Sequence, residues 1–284
     1  MIGVDLITEL ANSIFLTGSL KTDPPQSLML ISSPESGKTS IVERKDARSI
    51  LFFTDIIGTG MLDELKQKGY VTHFVIRDMV MVMAHKAETN QRTIATIMAL
   101  TEDGLGRVNL GRNVELDFGK RRAGIVCCIT SDVVNDQRRW WNSSGFASRL
   151  IPFNYEYSRA LQVAIITQTV INGAYETRKN GTSIVVPSNH KEVLIPPEIA
   201  SRVQSVADLV ARNLDEKGIR RGKQFRALAR GHALLNRRLI VDLEDIQFLR
   251  RLAPFISYSQ SKEIRYVKTP NRAPELDRAS NARA

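Results

Sequence analysis

An apolar segment that leads directly into a polar loop is the feature that most constrains the fold of this chain. Residues 28–31 have the character of a short strand, residues 32–39 have the sequence Ser-Ser-Pro-Glu-Ser-Gly-Lys-Thr, and a helical segment follows. The loop fits the pattern G-x-x-x-x-G-K-[ST], except that Ser32 replaces the first glycine. A strand, such a loop and a helix in succession predict a phosphate-binding loop.

The residues of this loop suit a nucleoside triphosphate. Gly37 lets the backbone close around phosphate, Lys38 neutralises β- and γ-phosphate oxygens, and the Thr39 hydroxyl ligates Mg²⁺. The N-terminus of the following helix supplies further N–H donors. The sequence therefore predicts ATP and Mg²⁺ as ligands, with contacts from Ser33, Pro34, Glu35, Ser36, Gly37, Lys38, Thr39 and Ser40.

The first half of the chain predicts an α/β fold. Further short apolar runs at residues 49–54 and 71–76 are separated by a helical stretch near residues 61–68. Short apolar runs that alternate with helices are typical of a parallel sheet covered on both faces.

Two more segments predict strands. Residues 124–130 form the longest buried-strand candidate, in which the neighbouring Cys127 and Cys128 should point to opposite faces. Residues 108–118 alternate like a β-hairpin around a turn at 111–113.

Changes in character along the chain predict four parts. An α/β nucleotide-binding domain spans residues 1–160, and a connecting helix and loop span 161–196, with helical periodicity at 160–174. The spacing of apolar residues predicts a small all-helical domain at 197–258. Residues 259–284 contain six basic and three acidic residues and two prolines, which predicts a flexible basic tail.

A phosphate loop needs an acidic residue on the metal side at the end of a neighbouring strand, and Asp78 is the candidate. It closely follows the apolar segment at 71–76, and its carboxylate would hold Mg²⁺ together with Thr39. The competing interpretation of Asp78 is a helix N-cap, because a helical segment starts just after it.

Several segments, taken in order, resemble the AAA+ ATPases, in particular the helicase-like branch of the minichromosome-maintenance helicases and magnesium chelatases. Similar proteins occur in phages and mobile elements. The segments are the loop at 32–39, Phe-Val-Ile-Arg-Asp at 74–78, Gly-Ile-Val-Cys-Cys-Ile-Thr-Ser-Asp at 124–132, Gly-Phe-Ala-Ser-Arg-Leu-Ile-Pro-Phe at 145–153, and helical stretches at 227–235 and 241–246. The resemblance implies a P-loop AAA+ domain with a parallel sheet, followed by a helical lid.

The resemblance also implies roles for single residues. Thr130 or Ser131 would be the polar group that senses the γ-phosphate, and Arg149 the finger that reaches the nucleotide of a neighbouring subunit. Arg220 or Arg221 would be the second sensor cation. Simpler interpretations are a strand end for the first pair, an ion pair with a surface acid for Arg149, and solvent exposure for the last pair.

The function implied is an ATPase that forms a homo-oligomer, with Lys38, Asp78 and Arg149 as the catalytic set. Met79 occupies the position that usually carries a glutamate to polarise the attacking water, which leaves hydrolysis open. The alternative is a nucleotide-gated scaffold or loader that does not hydrolyse ATP.

The charge of the chain favours a polyanionic partner. Forty Lys and Arg against thirty Asp and Glu give a net charge of +10, and residues 212–238 hold nine basic against two acidic residues. Together with a second basic region at 107–122 and the resemblance to the helicase-like AAA+ proteins, this charge leads us to expect DNA as a partner, and the resemblance implies a role in replication, recombination or a mobile-element process. No secretory signal and no run of about 18 apolar residues is present, which predicts a cytoplasmic protein without a membrane partner.

Overall fold

The computed structural model describes residues 5–34, 36–42, 50–53, 71–109, 115–163, 167, 186–187, 189–259 and 261–264, with backbone alone for Ser40 and the strands 50–53, 105–109 and 115–121. The helices are α1 (Asp5–Thr17), α2 (Lys38–Val42), α3 (Met79–Met83), α4 (Ala87–Thr101), α5 (Ser131–Ser144), α6 (Pro197–Asn213), α7 (Ile219–Leu235) and α8 (Leu243–Leu252). The strands are β1 (Ser27–Ile31), β2 (Ile50–Phe53), β3 (His73–Ile76), β4 (Leu105–Asn109), β5 (Glu115–Arg121), β6 (Gly124–Ile129), β7 (Leu150–Tyr157) and β8 (Lys262–Ile264).

Six of the described strands form one parallel sheet in the order β2-β3-β6-β1-β7-β8. The predicted α/β architecture with a parallel sheet is thereby confirmed. The register aligns Ile31 of β1 with Ile129 of β6, and Ile76 of β3 with Cys127. The strands β1, β3 and β6 therefore end at one common edge of the sheet.

Both faces of the sheet are buried at the strands β1, β3 and β6. Leu28 and Leu30 contribute to one hydrophobic core, whereas Met29 and Ile31 contribute to the other. This alternation explains why the strands read as continuous apolar runs. Cys127 and Cys128 lie in different cores, as predicted, and both are free thiols.

The C-terminal helices share a core with the sheet. Apolar residues of α6, α7 and α8 join those of α1 and of one sheet face in a single cluster. Gly231 of α7 lies against α1, where a Cβ would come within 2.3 Å of the Ser13 carbonyl oxygen. The segment predicted as a small helical domain is helical, and its packing is continuous with the first half of the chain.

Strand β7 was not predicted, and Pro152 within it is the reason, because proline is rare inside strands. Among the described residues, β8 pairs with β7 from Tyr155 onward and an isolated bridge joins Phe153 to Ile256, so Pro152 has no ladder partner on that side. Lys262–Ile264 belong to the segment expected to be a flexible tail, yet they form the edge strand β8.

The predicted hairpin is present as the antiparallel pair β4–β5, while its turn at 111–113 lies outside the described residues. The helix predicted near 61–68 also lies outside them, as does most of the one predicted at 160–174 and the tail beyond 264. Among the helices of the described ranges, none has the length and apolarity needed to cross a bilayer.

A buried ionic network joins α1 to the C-terminal helices. The His232 imidazole is 3% exposed, faces Asp245 at 2.5 Å through Nδ1 and Glu9 at 2.9 Å through Nε2, and stacks on Phe248. Although burial opposes the charge, hydrogen bonds and the charges of both carboxylates hold the pKa of His232 above 6.5. His232 is therefore a core residue whose surroundings favour the protonated imidazole.

This network predicts a pH-dependent stability. The folded-state pKa of His232 lies above the unfolded value, so its contribution is fully present below pH 6.5 and is lost as the pH rises through the folded pKa. We expect the native free energy of unfolding to fall above pH 6.5, and the fall to be smaller in His232→Gln. Urea denaturation at a series of pH values measures the free energy of unfolding of both proteins. If it changes with pH equally in the native protein and in His232→Gln, His232 does not have this role.

Candidate functional site

The loop after β1 lies at the common edge where β1, β3 and β6 end. The Ser32 amide donates to the Ile129 carbonyl oxygen at 3.3 Å, which fixes the start of the loop beside the end of β6. From β1 the chain continues to β2, which lies on one side of β1 in the sheet. From β6, on that same side, the chain crosses to β7 on the other side of β1. Such a change of direction at the carboxyl ends of parallel strands is where α/β sheets bind ligands.

Lys38 is folded back over this loop. Its ammonium donates to the carbonyl oxygens of Ser32 at 2.9 Å and Ser33 at 2.7 Å, and to the Ser36 hydroxyl at 3.2 Å. Burial lowers the pKa of Lys38, while the electrostatics of Cys128 and Asp78 act in the opposite direction. The loop thus encloses a cation whose partners here are neutral oxygens.

Gly37 gives the loop its shape. Its φ of +72° lies in the left-handed region, and a Cβ placed there would meet no atom within 4 Å. Backbone conformation, rather than space, therefore requires glycine at this position. Thr39, predicted to ligate Mg²⁺, is exposed at the start of α2.

Two buried polar atoms beside the loop lack a partner. Among the described residues, neither Ser32 Oγ nor Asn154 Oδ1 has a hydrogen bond, although both residues are almost completely buried. Asn154 aligns with Ile31, the last residue of β1, so both residues lie where the loop leaves this strand. Orphaned buried polar atoms call for a ligand, a water or an ion.

The other predicted polar residues of this edge have distinct surroundings. Asp78 is exposed and serves as the N-cap of α3, where its Oδ1 accepts from the Val80 amide at 2.9 Å. Thr130 is the N-cap residue of α5 but makes no side-chain cap bond, and Ser131 is half-buried in the first turn. Met79 is fully buried.

Arg149 lies at the opposite end of the sheet. It precedes Leu150, which aligns with Ser27 at the start of β1, so the length of β1, about 13 Å, separates it from the loop. Its guanidinium pairs with Glu102, which follows α4. The ion pair considered as the simpler interpretation of Arg149 is therefore present.

The two adjacent arginines of α7 differ in their exposure and in their partners. Arg220 is part-exposed and pairs with the same Glu102, and it also donates to the Ser148 hydroxyl. Arg221 is fully buried, forms two hydrogen bonds with Glu216 at 2.6 and 2.7 Å, and donates to the Leu150 carbonyl oxygen. Both therefore lie near the Arg149 segment, and Arg221 has a structural role.

From sequence, Glu102 could be an acid that reaches the γ-phosphate or, more simply, a cap or a solvated residue; it is the C-cap residue of α4, but its two arginine partners were not foreseen, and Asn154 was given no role. An isolated acid at a helix end carries no signal for two arginines that lie 47 and 118 residues away. Asn154 was passed over because β7 itself was not recognised. Glu35 lies outside the described residues, as does the side chain of Ser40.

Four of the nine cations in the basic region 212–238 are held by acids of the chain: Arg220, Arg221, Arg230 and Arg238. The other five are exposed: Arg212, Lys217, Lys223, Arg226 and Arg237. Of the second basic region, 107–122, the side chain of Arg122 is described and exposed.

No protein-family model matches the chain, and no curated protein sequence matches it either. A functional proposal for this protein therefore depends on its residues and their geometry.

Proposed function

We propose that this protein is an ATP-binding AAA+-type ATPase that assembles as a homo-oligomer and acts on or with DNA. One observation carries the proposal: the loop 32–39 leaves β1 at the edge shared with β3 and β6, with Gly37 left-handed and Lys38 enclosed. This is the strand, loop and helix context that the sequence motif requires.

The residues present fit ATP and Mg²⁺. Ser32 Oγ and Asn154 Oδ1 are buried beside the loop without a partner among the described residues, as expected where a ligand or its water completes the bonding. Lys38 would exchange its loop carbonyls for phosphate oxygens, which bind an ammonium more strongly. Thr39 and Asp78 would hold Mg²⁺, which would neutralise charge on the phosphates.

An oligomer agrees with the position of Arg149. The length of β1 separates this arginine from the loop of its own chain, so a role in phosphate chemistry requires the loop of a second copy. The same holds for Arg220, which lies beside Arg149 on Glu102.

The test of nucleotide binding is a calorimetric titration of the native protein with ATP in the presence of Mg²⁺. We expect saturable binding, and a rise in the thermal midpoint that grows with ATP concentration, because a ligand of the native state stabilises it. If ATP neither binds nor raises the thermal midpoint, the proposal is wrong.

Met79 favours a second candidate, a nucleotide-gated scaffold. The position after Asp78 holds a fully buried apolar side chain, so it offers no carboxylate to activate water. In this case bound ATP would fix a conformation and persist. Chromatography of the nucleotide recovered from the protein after prolonged incubation separates the two candidates: ADP supports the ATPase, and intact ATP supports the scaffold.

The exposed cations of 212–238 support a DNA partner. Lys223 and Arg226 lie three residues apart on α7, hence on one face, and both are exposed. If all five exposed cations of this region contact phosphates, the logarithm of the DNA affinity should fall with the logarithm of salt with a slope of about −4.5, at −0.9 for each contact.

We expect the double variant Lys223→Gln and Arg226→Gln to reduce the magnitude of this slope by about 1.8, since two phosphate contacts are lost. Fluorescence anisotropy with duplex DNA at several salt concentrations measures it. The matched control changes two exposed cations that pair with acids, Lys21 and Arg92, to Gln and should keep the native slope. Equal slopes for the two double variants would contradict a DNA surface on α7.

A further inference from the structure

The segment Ala147–Leu150, which ends at the first residue of β7, is bound at every residue by the C-terminal part of the chain. The donors are Tyr258 to the Ala147 carbonyl oxygen, Arg220 to the Ser148 hydroxyl, Gln224 to the Arg149 carbonyl oxygen at 3.0 Å, and Arg221 to the Leu150 carbonyl oxygen at 2.7 Å. A shift of α7 would therefore move this segment, and Arg149 with it.

Glu102 connects this assembly to α4. It is the C-cap residue of α4, and its two carboxylate oxygens bind different arginines: Oε2 accepts from Arg149 and Oε1 from Arg220. A carboxylate is unfavourable at a helix C-terminus, where the helix dipole is negative. The two guanidinium groups offset this repulsion, so the cluster holds together as a unit.

The Arg149 guanidinium is not free to bind another anion in this arrangement. Its side chain is 17% exposed, Nη1 donates to the Gly145 carbonyl oxygen and Nη2 to Glu102. Its Nε is buried with no acceptor among the described residues, so one N–H group of this guanidinium has no hydrogen bond there. A carboxylate and a phosphate offer an arginine the same pair of oxygens and therefore compete for it.

We infer that Glu102 is a positioning residue that acts as an intrachain competitor: it holds Arg149 and Arg220 in the unassembled protein and must release them before they engage an external phosphate. The inference deepens the proposed function and rests on it for the identity of that phosphate, the nucleotide of a second copy. Because Glu102 binds a residue of α7, release would also loosen α7 from α4.

The first test measures the two guanidinium groups directly and needs no nucleotide. Phenylglyoxal modification of arginines is followed by mass spectrometry in the native protein, in Glu102→Gln and in Glu88→Gln. Glu88 is the matched control, an exposed glutamate of the same helix that pairs with Arg92 at 2.6 Å. Arg221, fully buried, is the internal reference.

We expect Glu102→Gln to speed modification of Arg149 and Arg220 about two- to fivefold, the range for loss of a part-exposed ion pair. Arg221 should not change, and Glu88→Gln should match the native protein at all three arginines. Equal rates in Glu102→Gln and the native protein would overturn the inference. A parallel rise at Arg221 would also overturn it, since general loosening would then be the cause.

The second test separates competition from a merely structural role. Sedimentation measures self-association with ATP and Mg²⁺ at a series of protein concentrations. A competitor predicts that Glu102→Gln assembles at a lower protein concentration than the native protein, and that Glu102→Asp, which keeps the charge, lies nearer to native. Weaker assembly of Glu102→Gln would overturn the inference.

The inference about Glu102 and the proposed nucleotide binding can fail separately. If the native protein binds no ATP, the proposed function fails, while the modification rates still decide whether Glu102 restrains the arginines. If ATP binds and the modification rates are equal, the inference alone fails.

Discussion

Replacement of Lys38 by Ala is expected to weaken ATP binding by about 10²-fold, because a charge-assisted hydrogen bond contributes about 1.5–3 kcal/mol. In the present structure the ammonium is satisfied by Ser32, Ser33 and Ser36 of its own loop. These neutral partners are weaker than the phosphate oxygens that would replace them. Calorimetry with ATP and Mg²⁺ measures the difference in affinity.

Lys21→Ala is the matched control for this substitution. Its side chain is 66% exposed and lies 3.7 Å from Glu192, and Lys21 precedes β1, whereas the loop follows this strand. This variant should keep the native ATP affinity, and thermal unfolding of both variants verifies that the fold persists. Equal ATP affinities for Lys38→Ala and the native protein would discard the assignment of the phosphate loop.

Strands β1, β3 and β6 were predictable because each is buried on both faces. Such strands appear as short apolar runs, and the runs containing β1, β2, β3 and β6 were found in this way. Strand β7 was missed because Pro152 interrupts its pattern. Proline is compatible with this strand, since on the side away from β1 the described residues pair with β7 only from Phe153 onward.

The candidate loop was predictable for a different reason: its residues are contiguous. Residues 32–39 form one local unit whose backbone follows from Gly37 and from the end of β1. Asp78 could be assigned two roles from sequence, and the N-cap contact to Val80 is present in the structure. Both roles remain compatible, because an N-cap uses one carboxylate oxygen and leaves the other for a ligand.

The environment of the arginines was not predictable. Arg220 and Arg221 are neighbours in sequence, and a helix turns about 100° between them, so one is part-exposed and the other fully buried. Only the packing of α7 determines which one lies inside. The shared partner Glu102 results from three segments that meet in the fold, and no local pattern encodes such a meeting.

Replacement of Arg149 by Ala is expected to lower the rate of ATP turnover by about 10³-fold, since a cation supplied in trans to a transferring phosphoryl group contributes on this scale. ATP affinity should change little, because the length of β1 separates Arg149 from the loop of its own chain. Phosphate release, measured at saturating ATP and at a protein concentration that permits assembly, gives the rate. Arg139→Ala, which removes an exposed arginine of α5, should keep the native rate.

Complementation between two inactive variants tests whether Arg149 acts between copies. In a mixture of Lys38→Ala and Arg149→Ala protomers, some interfaces bring Lys38 of one copy together with Arg149 of its neighbour. Those interfaces contain an intact site. The mixture should therefore turn over ATP faster than either variant alone, and most at comparable amounts of the two. If native protein turns over ATP and the mixture stays as slow as its parts, Arg149 does not act in trans. Its pairing with Glu102 would then be a structural contact within one protomer.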